Sequence, residues 1–147
     1  MLTDLLLAIA HHILIFALAA ILTAELILVR PQMTAGDVGR VARVDVAYGA
    51  VAGLILVIGF ARVFFGLKGA EFYFANGWFH AKLTAFVVVG LLSIVPTMRF
   101  LKWRRAQRTE PGFVPPSDEI KKMRRFIHLE AGIFILIPVF AAMMVRL

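Results

Sequence analysis

Apolar and polar positions in this chain are sorted into blocks. Four apolar runs fill most of it, at about 2–29, 44–65, 77–101 and 126–145. Each reaches the roughly 20 residues that a helix needs to cross the hydrocarbon core of a bilayer. Lipid offers backbone N–H and C=O groups no partners, so each run is expected to be helical. The first run stops at Arg30 and Pro31, a charge followed by a helix breaker, whereas Pro96 and Pro138 fall inside the third and fourth. The pattern predicts an all-α, integral membrane four-helix bundle forming a single transmembrane domain over residues 1–147.

The connections differ in character. Residues 30–43 read as a short loop containing Gly36 and Gly39. "GLKGAEFYFAN", residues 66–76, is aromatic-rich and fits the membrane–water interface. Residues 102–125 form a basic segment broken by "PGFVPP". Within it, "SDEIKKMRRF" reads as a helix start, with Ser117 as N-cap, acids in the first turn and bases later, continuing into the fourth span. "GAVAG", Gly49 to Gly53, is a small-residue pattern that allows close helix approach and offers one face for a homo-oligomer.

Composition strengthens the membrane reading. The chain is 61% apolar, where ordinary soluble domains hold about 45–50%. The net charge of +7 does not point to nucleic acid, because nine of the sixteen Lys and Arg lie between Arg99 and Arg125. Basic residues flanking apolar spans are what the positive-inside rule produces. Arg30, Arg40 and Arg43 mark the first connection in the same way, whereas the middle one has only Lys68 beyond Arg62. Both termini are therefore expected outside the cytoplasm, with 102–125 cytoplasmic. The opening "MLTDLLLAIAHHILIF" lacks a basic start and a clean cleavage site, so it reads as a retained span and not a signal peptide. With no cysteine, disulfides, thiolate metal sites and C-x-x-C-H haem attachment are excluded.

Ionisable residues inside the runs carry the candidate chemistry, because such groups are costly in lipid. At about 1.5 Å per residue they fall into two levels. His11, His12, Arg62, His80 and Lys82 lie in the outer half, with no deep acid. Glu25, Arg30, Asp45, Tyr48, Arg99, His128 and Glu130 lie in the inner half, where both signs are present and mutual pairing is expected. Asp4, His11, Leu18 and Glu25 recur every seven residues, along one side of the first helix; Tyr48, Ile55 and Arg62 do so along the second. His80 and Lys82 sit about 200° apart on their helix.

Imidazole is a standard ligand of haem iron. His11 and His80 are thus candidate axial ligands of a b-type haem, His12 is the reserve, and Arg62 and Lys82 would meet its anionic propionates. The competing readings are a divalent-metal site on Glu25, His128 and Glu130, a proton relay, an ion-binding permease, and an accessory or structural membrane subunit.

The stretches "AIAHHILIFALAAILTAEL", "WFHAKL" and "MRRFIHLEAGIFILIPVFAAMMV" resemble the HemJ-type protoporphyrinogen IX oxidases. Those are short bacterial four-helix membrane proteins with a histidine in the first span and H-x-K opening the third. The likeness covers the order and spacing of all four spans. It implies b-type haem and oxidation of protoporphyrinogen IX, with His11 or His12 matching the first-span histidine, and His80 and Lys82 the H-x-K pair. The end of the first span, "AELILVRPQM", and "FIHLEAG" in the fourth differ from that pattern. They bring the chain nearer to short predicted bacterial membrane proteins of unassigned function. The function expected is a haem-b oxidoreductase working on a porphyrin or a quinone; the alternative is a non-enzymatic membrane protein.

Overall fold

The computed structural model describes residues 1–146. Five helices follow one another: α1 (Leu2–Leu28), α2 (Ala35–Phe65), α3 (Gly69–Phe74), α4 (Gly77–Thr109) and α5 (Ser117–Arg146). Each apolar run coincides with or lies within one of the four long helices, the first to within one residue, and all four are long and apolar enough to cross a membrane. α1 packs against α2, α4 against α5, and α2 also against α4.

Burial is inverted relative to a soluble protein. Phe16, Val57, Leu91 and Ile135 are 75%, 66%, 61% and 64% exposed, whereas Glu25 and Glu130 are 2% and 1% exposed. Apolar residues facing out around a bundle with acids inside it is the arrangement that lipid, not water, favours.

At 31, 33 and 30 residues, α2, α4 and α5 outrun the hydrocarbon core. Their surplus length builds a layer beyond it and shortens the connections read from sequence. α2 starts at Ala35, well inside the segment expected as loop. Its start is a capping box: Thr34 Oγ1 accepts from the Asp37 N–H at 3.1 Å, and Asp37 accepts from the Thr34 N–H at 3.0 Å. Such a cap contributes about 1 kcal/mol to the helix. Asp37 also holds Arg30 at 2.9 Å and Arg40 at 3.2 Å.

The segment 102–125 is likewise mostly helix, with only residues 110–116 connecting α4 to α5. Phe100 and Trp103 on α4 and Ile120, Met123 and Ile127 on α5 are buried here, so the α4–α5 hairpin has its own apolar seam. Arg99 bonds Glu119 across it. Arg124 donates to the Val29 carbonyl at 2.8 Å, and Gln107 to the Ala35 carbonyl at 2.8 Å, tying the hairpin to α1 and α2. This is the basic end of the molecule.

The opposite, terminal end carries Met1, Arg146 and the short α3 within the aromatic stretch 66–76. Gly69, which opens α3, has φ +76, a conformation that side chains disfavour. Asp4 accepts from the Leu67 N–H at 3.1 Å, and Asn76 donates to the Met144 carbonyl at 2.9 Å, so α3 is pinned to both α1 and α5. "GAVAG" makes no close helix approach within the chain: Gly49 and Gly53 are exposed, and a Cβ on either would meet nothing within 4 Å.

Candidate functional site

A cavity of about 650 Å³ opens between the four long helices at the terminal end. That is within the ordinary 300–1,000 Å³ range of ligand sites. Its walls are mostly apolar, from Ile15 and Phe16 on α1 to Phe134 and Ile137 on α5. α3 contributes Tyr73, whose ring lies 5.6 Å from that of Phe79 at the start of α4.

Set into these walls are His11, His12, Arg62, Lys68, Lys82 and Arg146. No Asp or Glu lines the cavity among the described residues. The salt bridges among the described residues, Arg30 and Arg40 to Asp37 and Arg99 to Glu119, all involve other side chains. Arg62 Nε is buried without a hydrogen-bond partner. The aliphatic stems of Lys82 and Arg62 can run along the apolar wall while their charged heads reach a ligand.

His11 is the buried imidazole of the site, 5% exposed, and its Nδ1 has no partner. Its place follows from the heptad of α1, whose positions 11, 18, 22 and 25 are the buried ones. Gly59 on α2 makes room for it: a Cβ there would stand 3.3 Å from His11 Cε1 and 3.7 Å from Nδ1. His12, one residue on, is exposed and bonds the Ala8 carbonyl of its own helix at 2.7 Å.

The structure does not bring His80 to His11. His80 is exposed, outside the cavity lining, and its Nε2 is bonded to the Phe74 carbonyl at 2.8 Å. Of the H-x-K pair it is the lysine that faces the cavity, as their angular separation on α4 requires. Sequence spacing gave no sign of Gly59 or Tyr73, because neither residue type announces its role and both depend on how α2 and α3 pack.

The second level of polar residues is arranged differently from expectation. Its acids and bases do not pair with one another at depth. Arg30 and Arg99 reach outward to Asp37 and Glu119 near helix ends, where water lowers the cost of charge. His128 is exposed and bonds the Arg124 carbonyl at 2.8 Å. Glu25, Asp45 and Glu130 stay inside the bundle, near Tyr48, whose hydroxyl donates to Glu130 Oε1 at 3.5 Å. Among the described residues no group of three His, Asp or Glu is arranged to hold a metal ion.

Residues 3–146 match a family described as "Predicted membrane protein (DUF2214)". No curated protein and no solved structure matches the chain.

Proposed function

The chain belongs to this family of predicted membrane proteins, and from that premise we propose that its cavity binds an apolar, anionic molecule, a b-type haem first, held through His11 in an oxidoreductase of the bacterial inner membrane. The observation that carries the reading is a buried imidazole on the wall of an apolar cavity lined by cations and by no described acid. An anion is what such a lining lacks. Water-accessible sulfate or phosphate would leave the aromatic walls unused, whereas a flat amphiphile with carboxylates uses both features.

The residues fit haem as a group with a single protein ligand. His11 is that ligand; Arg62 and Lys82 would hold the propionates, with Lys68 at the rim. Bound haem would supply one-electron chemistry at its iron. His12 and His80, each bonded to a backbone carbonyl, would contribute to the setting of the helices and not to the iron. Porphyrin oxidation is the first substrate reading, since that substrate joins an apolar ring to carboxylates; quinone-linked electron transfer is the second and uses the apolar walls alone. The basic end would face the cytoplasm and the cavity the outer leaflet.

The test is spectroscopic. Protein purified after growth with a haem precursor should be pigmented, with a Soret band. His11→Ala should lose or shift that band, whereas His80→Ala should keep it at close to wild-type intensity. A colourless wild-type preparation, or a band that survives His11→Ala unchanged, contradicts the assignment.

A further inference from the structure

The second polar level does not enter the reading above. Glu25 of α1, Asp45 of α2 and Glu130 of α5 are 2%, 7% and 1% exposed. They come from three helices and lie near one another, with the Tyr48 phenol beside Glu130. Glu25 and Asp45 are near neighbours, Glu130 lies close to both, and Tyr48 bonds Glu130 at 3.5 Å. α4 supplies no opposite charge, because Arg99 is engaged by Glu119. On α5, His128 and Arg124 are committed to backbone carbonyls.

The acids alone would not make a site. The second observation is that Glu130 Oε2 is fully buried and has no hydrogen-bond partner, and that buried Glu25 Oε1 meets no N–H or hydroxyl donor, with the Asp45 carboxyl beside its side chain. Buried polar atoms are normally satisfied, and an orphaned carboxyl oxygen costs more than most. Two such atoms at one level mark a place where something is bound. Its charge follows from the surroundings: three carboxyl groups share a desolvated space with no guanidinium or ammonium, so the missing partner is cationic. Its size follows from the donors, which are not arranged around a metal ion. A proton needs no converging ligand set.

We propose that Glu25, Asp45 and Glu130, with Tyr48, form an exchangeable proton-binding site inside the membrane span, separate from the cavity at the terminal end. The proton is shared among the carboxyl oxygens and leaves toward the basic end. The phenol orients Glu130 and so selects which oxygen receives it.

Infrared pH-difference spectroscopy on the full chain in lipid nanodiscs tests this. Between about pH 5 and pH 9 the wild type should show a protonated-carboxyl carbonyl band that disappears reversibly as pH rises. Glu130→Gln and Asp45→Asn should each reduce it at least about twofold, and Tyr48→Phe, which preserves packing, should move its frequency. Added sodium at fixed pH should leave the band unchanged. A carboxyl band that does not titrate makes these acids static structural partners and overturns the proposal. So does the absence of any such band, or its displacement by sodium, which would assign the site to an alkali cation. The wild-type titration alone decides the matter if the glutamine variant fails to fold.

Discussion

Arg62→Gln combined with Lys82→Gln should weaken binding of a porphyrin dicarboxylate at least about a hundredfold, while binding of its dimethyl ester changes less than about threefold. Both side chains line the cavity and neither has a described ion-pair partner. Hydrogen bonds to charged groups contribute about 1.5–3 kcal/mol each, and a hundredfold loss is about 2.8 kcal/mol. The ester keeps the ring and its apolar area but has no charge to lose, so it separates electrostatics from shape. The same affinities measured on Lys68→Gln should fall less, because Lys68 lies 4.8 Å over the Phe72 ring, which already holds its ammonium. If acid and ester lose affinity together, the variant has damaged the cavity and the cations do not recognise the carboxylates.

The second large effect is expected at a residue with no side chain. Gly59→Val should lower haem affinity at least about tenfold with little loss of helical content. A single Cβ at residue 59 would sit 3.3 Å from His11 Cε1, closer than comfortable contact. Valine adds two methyl groups to that clash. Overpacking of this kind costs about 1–3 kcal/mol, and the imidazole is the neighbour able to move. Displacing it would move His11 away from the place where it would hold the haem. Gly59→Ala should give an intermediate effect, so affinity should decline in the order Gly, Ala, Val. The corresponding change at Gly53, on the same helix with nothing within 4 Å, should leave binding unchanged. Equal effects at residues 53 and 59 would make this a property of α2 as a whole.

How much of this was legible from residues alone depends on which force fixed each feature. The four spans were, since hydrophobic run length against bilayer thickness leaves little choice. The heptad through His11, Leu18 and Glu25 also gave the buried side of α1 correctly. Helix starts outside the lipid were harder. "TAGD" is a capping box with Asp in place of the usual Glu, and Gly36 and Gly39 around it read as loop although Val38 and Val41 are buried. The layer of helix beyond the membrane is held by Trp103, Ile120 and Met123, which in a count of charges look like interruptions in a basic loop.

Pairing was the least legible. Opposite charges at one depth invited the expectation of ion pairs. Long arginines instead reach acids near the helix ends, and the short Asp45 and the two glutamates remain inside. His80 illustrates the same point: depth along α4 matched it to His11, but rotation about the helix turned it to the Phe74 carbonyl. A depth estimate needs only the rise per residue, whereas facing requires knowing which neighbour each helix has chosen.

Haemin titration into pigment-free protein in lipid nanodiscs, read as a difference spectrum against empty nanodiscs, tests the cavity assignment most directly. The wild type should saturate at one haem per chain with a shifted Soret band, and His11→Ala should show only the unsaturable partitioning seen with lipid alone. A wild-type titration indistinguishable from empty nanodiscs, or an equal saturable response in His11→Ala, would contradict it.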